Sequence, residues 1–182
     1  MGAPTSPSPV LLLLAAFSRY EAALAWARDR AERAWGPVAR ASDPFEFDET
    51  DYYEATMGPD LRKVFFVFAR PFDPAALVDV KLETNRWEEE YAHSGRHAEP
   101  RPLNLDPGYL GLGKLVLAST KDFTHRIYLD RGIYAEVTLH YKHHRWHHHQ
   151  YTFADYRRDD YQRFFSECRR YLHDRTRQGD AT

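Results

Sequence analysis

Cysteine is almost absent from this chain. Cys168 stands alone among 182 residues, so no internal disulfide can staple the fold, and no spaced partner exists for a thiolate metal site. A lone thiol fits a reducing, cytoplasmic setting and serves best as a small buried hydrophobe. A surplus of either charge is missing too: 25 Lys and Arg against 27 Asp and Glu leave a net charge of -2. That excludes the global positive field of a nonspecific nucleic-acid binder, so no DNA partner is expected and any anion site must be local. The unbroken apolar run Val10 to Phe17 is far shorter than the ~20 residues that span a bilayer. It has no basic residue before it and leads into an amphipathic segment in place of a cleavage site, so no membrane association is expected. Internal repeats and linkers are also lacking. The chain reads as one domain over residues 10–175, with disordered ends at 1–9 and 176–182.

What is present alternates strand and helix signals. Val10 to Phe17 reads as a buried strand. Ser18 and Glu21 have the spacing of a capping box, before a stripe of Tyr20, Leu24, Ala27, Ala31 and Trp35 that Gly36-Pro37 stops. Val38 to Phe47 is a second strand weakened by Pro44, and Asp48 to Asp60 is an acidic, tyrosine-bearing loop. Leu61 to Ala69 is the clearest buried strand. Asp73-Pro74 starts a helix carrying Leu77, Val80, Thr84, Trp87 and Tyr91 on one face. A short strand over Leu103 to Asp106 and a Pro107-Gly108 turn follow. Tyr109 to Ser119 fits either periodicity, with helix slightly favoured. From Asp155 onward, Tyr161, Phe164, Phe165, Cys168, Tyr171 and Leu172 stripe a last, arginine-rich helix. The order β-α-β-β-α-β is that of an α+β, ferredoxin-like antiparallel sheet, extended here by a β-hairpin and a C-terminal helix. Two helices would cover one face of the sheet, and the other would be left for a ligand, a partner or the last helix.

The hairpin is Asp122 to Tyr141. With Asp130-Arg131-Gly132 as its loop, Leu129 faces Ile133, Ile127 faces Ala135 and Arg126 faces Glu136. One face is then apolar, and the other carries Arg126, Tyr128, Tyr134, Glu136 and Thr138. Lys121, His125, Arg126 and Glu136 bring cations to one carboxylate, and the flanking tyrosines suit phosphate recognition. His125, by parity, belongs to the apolar side.

Other motifs weigh less. Gly108 to Lys114 matches G-x-x-x-x-G-K, but Leu115 stands where a phosphate loop needs a hydroxyl for magnesium, so an ordinary glycine-containing turn is favoured. His143 to His149 is rich in imidazole; His143, His147 and His149 are weak metal candidates because neighbours on an extended strand point apart. Asp51-Tyr52-Tyr53-Glu54 places paired tyrosines beside carboxylates that admit a divalent cation, and Lys81, Glu83, Asn85 and Glu88 share a helix. Asn104-Leu-Asp106 can form an Asx-stabilised turn.

Taken together, Asp51-Tyr-Tyr-Glu, Met57-Gly58, Lys81 with Thr84-Asn85 and Glu88, Asn104-Leu-Asp-Pro-Gly-Tyr109, Thr120-Lys121, His125-Arg-Ile-Tyr-Leu129, Gly132-Ile-Tyr-Ala-Glu136, Thr138-Leu139 and Tyr141 resemble a bacterial domain-of-unknown-function family, number 4416. The resemblance covers nearly the whole chain and implies a small single-domain cytosolic protein; it carries no reaction or catalytic residue. Some relatives carry a GTP-binding label, which Leu115 does nothing to support. The histidine-rich loop lies outside the family pattern, and Thr56 stands where that pattern has an acidic residue.

The expectation is a pocket among the hairpin, the Asn104 turn and the Asp51 loop that takes a phosphate-bearing small molecule or nucleotide. Arg126, Lys121 and Arg101 would neutralise the anion and Tyr128 and Tyr134 would stack, with Asn104, Tyr53 and Glu54 completing the walls. Glu136, Asp106 and Asp51 would orient a hydroxyl or cation. Glu136, Asp106 and His125 are the catalytic candidates if a hydrolase or transferase is built from these parts. The competing expectation is a protein- or RNA-interaction module using an open sheet face and the basic last helix.

Overall fold

The computed structural model describes residues 2–179 and is mixed α+β. Strand β1 (Val10–Ser18) is buried along its whole length, which is why it reads as a continuous apolar run with no alternation. It lies between β4 (Arg62–Phe72) and β5 (Asn104–Leu110), antiparallel to both. The other strands are β2 (Val38–Ala41), β3 (Phe45–Glu46), β6 (Lys114–Ser119), β7 (Ile127–Asp130), β8 (Ile133–Lys142) and β9 (Arg145–His148). Together they form one nine-stranded sheet, ordered β2-β4-β1-β5-β6-β8-β7, with β3 beside β4 and β9 beside β8. Pro44 falls in the break between β2 and β3.

Helices α1 (Glu21–Trp35) and α3 (Leu77–His93) cover one face, packing Ala23, Ala27, Trp87 and Tyr91 on Leu12, Leu14, Phe66 and Phe68. Between them in sequence, α2 (Glu54–Met57) is a single turn. Helix α4 (Asp159–Gln178) lies on the opposite face, where Tyr161, Phe165, Cys168 and Leu172 meet Leu11, Leu13, Phe65 and Leu139. The face expected to stay open is thus largely filled by the last helix, whose arginines help hold it: Arg169 donates to the Leu112 carbonyl at 2.7 Å. The helix reaches Gln178, beyond the expected boundary at 175. Residues 180–182 and Met1 lie outside the described residues.

Three local expectations are corrected. Ser18 is not a helix cap: it ends β1, donates to the Pro102 carbonyl at 2.6 Å and accepts from Tyr20 N, and α1 begins without a side-chain cap. Residues 109–119 are not helical; Pro107-Gly108 lies inside β5, and Gly111-Leu112-Gly113 turns the chain into β6. Gly108 is needed there because a Cβ would sit 2.1 Å from the Val116 carbonyl oxygen on β6, a close approach that no other residue allows. The glycines of the G-x-x-x-x-G-K match therefore serve strand packing and a hairpin turn.

The third correction concerns the 122–141 hairpin. Ile127 pairs with Ala135 as expected, but an irregularity after Tyr128 brings Asp130 opposite Ile133 and leaves Leu129 out of register. The turn is Arg131-Gly132, both at positive φ. Its faces are also inverted: Glu136 and Thr138 are buried, while Ile127 (70%) and Val137 (43%) are exposed. The polar side of β8 faces the α4 side of the sheet, where Arg126 meets Glu136. On the other side Ile133 is buried against Leu77 and Val78 from α3, with Ala135 half-buried beside it.

Candidate functional site

A split in the sheet creates the site. Strand β5 pairs with β1 along its length but with β6 only over Gly108–Leu110. Ahead of Gly108, the edge of β5 that a longer β6 would have occupied is completed by α3. The Leu105 N–H goes to Glu88 Oε1 at 2.7 Å, and its carbonyl accepts from Lys81 Nζ at 2.9 Å. Two helix side chains thus stand in for a strand and satisfy a buried peptide. Lys81 also lies 3.3 Å from Asp106 Oδ1.

Through this gap opens a cavity of about 860 Å³, lined from α3 on one side of the sheet and from Leu117 and the 153–156 segment on the other. Its walls include Lys63, Lys81, Arg101, Lys121 and Arg126, balanced by Glu49, Glu88, Glu89, Asp106 and Asp155. The residues come from β1, β4, α3, β5, β6, the 47–53, 100–101 and 153–156 segments and the 120–126 loop. Arg101 donates to Glu88 at 3.1 Å and to Asn104, and Asn104 donates to Asp106 at 2.8 Å. The network pulls its two carboxylates apart: burial raises Glu88 above the ordinary carboxylate range, outweighing Lys81 and Arg101. Burial works in the same direction on Asp106, yet Lys81 and Lys63 overcome it and hold that carboxyl low. Burial also pushes the Tyr53 hydroxyl upward, assisted by Asp106. At the rim, Lys121 donates to the Tyr52 hydroxyl at 3.0 Å and lowers its pKa.

Lys63 and Asp155 form an ion pair in the cavity wall, with the ammonium 4.0 Å from the centre of the Phe47 ring and 4.9 Å from that of Phe17. Nearby, the Arg126 guanidinium is locked by three partners. It donates to Glu136 Oε2 at 2.7 Å, Ser119 Oγ at 2.7 Å and the Lys121 carbonyl at 3.0 Å.

The expected residues divide. Arg126, Lys121, Arg101, Asn104, Asp106 and Tyr53 line one cavity. Glu136 sits behind Arg126, not on the cavity wall, and its Oε2 also lies 3.0 Å from His125 Nε2. His125 is not in the apolar core: it stacks on Tyr151 at 4.7 Å and faces a different hollow. Tyr128 and Tyr134 pack against each other near the hairpin turn, away from the cavity. Glu54 lines a smaller hollow of about 590 Å³. The Asp51 side chain lies outside the described part of the structure. His143 is in the β8–β9 turn at positive φ, while His147 and His149 gather round His140, whose Nδ1 is buried without a partner. Among the described residues no group of three or more His, Cys, Asp or Glu is arranged to hold a metal ion.

Sequence reasoning missed Lys63, Asp155, Phe123 and Phe153. A lysine inside the apolar run Leu61 to Ala69 was the available signal for the first, since a charge in a buried strand requires a partner.

No helix among the described residues is long and apolar enough to cross a membrane. A family model described as Domain of unknown function (DUF4416) matches residues 8–171. No curated protein and no solved structure matches the chain.

Proposed function

The chain belongs to the domain-of-unknown-function family 4416, and with no reaction to inherit from that membership we propose that its cavity binds a phosphate-bearing small molecule. The observation that carries this reading is convergence. Four segments separated in sequence, β4, α3, the 100–101 segment and the 120–126 loop, place five cationic side chains around one water-accessible hollow. Lys63, Lys81 and Arg126 are buried against carboxylates; Arg101 also meets Glu88 but is 38% exposed, and Lys121 has, among the described residues, only the Tyr52 hydroxyl, so these two are the cations with capacity for an anion. Arg101 lies 5.9 Å from the Tyr53 ring centre and Lys121 4.5 Å from that of Tyr52, so the pair flanks one tyrosine couple at the mouth.

The architecture supports this use. The order β2-β4-β1-β5, with α1 following β1 and α3 following β4, is what a ferredoxin-like unit requires, and we read the first half of the chain that way. Cys168 is buried and free, and on its being the single cysteine we read the protein as cytoplasmic.

Differential scanning fluorimetry with ribose 5-phosphate and inorganic phosphate tests the proposal. Saturating ligand raises the unfolding midpoint by several degrees, and Lys121→Ala abolishes the rise without lowering the ligand-free midpoint. The absence of a shift with any phosphate compound overturns it.

A second reading, docking of a protein partner, rests on the outer strand β7. All four of its residues are exposed, and Ile127, Leu129 and Val137 present apolar surface beside an unpaired edge.

A further inference from the structure

Resting on the phosphate reading, we propose that the ligand also carries a flat heteroaromatic ring, gripped between Phe123 and Phe153 with an acceptor edge against Arg126, which makes it a nucleoside phosphate and not a simple sugar phosphate. Both phenylalanines lie in connecting segments, line the cavity and leave about half their surface in water (55% and 49%). Neither belongs to a core cluster. Exposed aromatic side chains at a cavity mouth gain little from the fold and much from a planar guest.

Their placement is mutual. The Arg126 guanidinium carbon lies 4.9 Å from the Phe123 ring centre and 5.8 Å from that of Phe153, so one fixed group spaces both rings. Arg126 itself cannot swing, because Nε and one terminal nitrogen are tied to Glu136, Ser119 and the Lys121 carbonyl. Its other terminal nitrogen makes no hydrogen bond among the described residues, and because the side chain is only 4% exposed yet lines the cavity, a ligand reaches that nitrogen only from within the cavity. A guanidinium whose charge is already met by Glu136 is a weak phosphate trap. It remains a rigid pair of N–H donors, suited to a carbonyl or ring nitrogen held in plane between two aromatic walls. The Lys121 carbonyl that fixes Arg126 belongs to the residue whose ammonium serves the anion site, so ring and phosphate ends of a ligand would meet adjoining parts of one loop.

Isothermal titration of the full chain with inorganic phosphate, ribose 5-phosphate and the four common nucleoside monophosphates separates the two claims. The expected result is that at least one nucleotide binds about tenfold or more tightly than ribose 5-phosphate. Phe123→Ala and Phe153→Ala each remove most of that advantage while leaving ribose 5-phosphate binding within about twofold. Both rings are exposed, and a circular-dichroism melt of each variant confirms that the fold persists. Equal affinity for ribose 5-phosphate and every nucleotide, or indifference of nucleotide binding to both substitutions, overturns the ring site while the phosphate reading stands. Failure of all these compounds to bind overturns both.

Discussion

Lys63 and Asp155, 92 residues apart in the chain, are ion-paired in the cavity wall with side chains that are 5% and 3% exposed. Lys63 comes from β4, and Asp155 from the segment that carries Phe153, so one buried contact ties a cavity wall to the sheet. Breaking such a pair from one side strands a charge in an apolar surround of Phe17, Phe47 and Tyr156. Asp155→Asn and Lys63→Met are each expected to destabilise the protein by about 3–5 kcal/mol, read from urea unfolding. The double variant Lys63→Met/Asp155→Leu recovers part of the loss, because no charge is then left uncompensated. A single-variant loss below about 1 kcal/mol is incompatible with this account.

Gly108 and Gly113 separate strand packing from phosphate-loop chemistry. A Cβ on Gly108 collides with backbone of β6, while one on Gly113 meets nothing within 4 Å. Gly108→Ala is therefore expected to cost about 1–3 kcal/mol or more, and Gly113→Ala close to nothing, in thermal or urea unfolding. Equal effects of the two would contradict the packing role assigned to Gly108.

How legible this molecule is from its residues follows from what each segment buries. Strands β1 and β4 are covered on both faces, so Val10 to Phe17 and Val64 to Phe68 advertise themselves as continuous apolar runs. Residues 109–119 misled because Pro107-Gly108 has the composition of a turn. Here β6 pairing begins only at Gly108, so the N–H that Pro107 lacks is not missed in that ladder. Alternation in the hairpin set the parity of its side chains, but parity cannot say which side faces the interior. Glu136 is inside because Arg126 is there to receive it, and Ile127 is outside because the α3 packing stops at Ile133 and Ala135 on β8 and does not extend over the outer strand β7. For the site, Arg101, Asn104, Asp106, Lys121 and Arg126 formed a readable polar constellation. Phe123 and Phe153 did not, since single aromatics in connecting segments carry no periodic signal.

Titration of the two networked carboxylates gives opposite pH signatures. The folded pKa of Asp106 is depressed below its ordinary 3.8, so its contribution to stability is present above that value and is lost as pH falls through the lower folded value. Asp106→Asn is accordingly less stable than the parent at neutral pH, with the gap closing toward strong acid. Glu88 is raised above its ordinary 4.5; its contribution is full below that point and is lost as pH rises through the folded value. Glu88→Gln therefore gains on the parent as pH climbs from 4.5 toward neutrality. Urea midpoints collected across the acid range for all three proteins check both slopes, and parallel profiles would remove the basis for treating the two carboxylates as differently poised.

At the rim, Tyr52 reports on Lys121 directly. The ammonium donates to the phenol oxygen at 3.0 Å and thereby favours the phenolate, lowering the Tyr52 pKa from its ordinary 10.0. Because both groups are exposed, the contact adds little to folding, and Lys121→Ala should leave the melting midpoint where it was. The titration, in contrast, moves: ultraviolet difference spectra should show one tyrosine shifting upward in Lys121→Ala, and a Tyr52→Phe background should remove that tyrosine from both curves. An anion captured by Lys121 competes for the same ammonium, so bound ribose 5-phosphate should raise the Tyr52 pKa in the parent and leave it unmoved in Lys121→Ala. Ligand that binds without disturbing Tyr52 would place the anion elsewhere in the cavity and leave Lys121 without the role assigned to it.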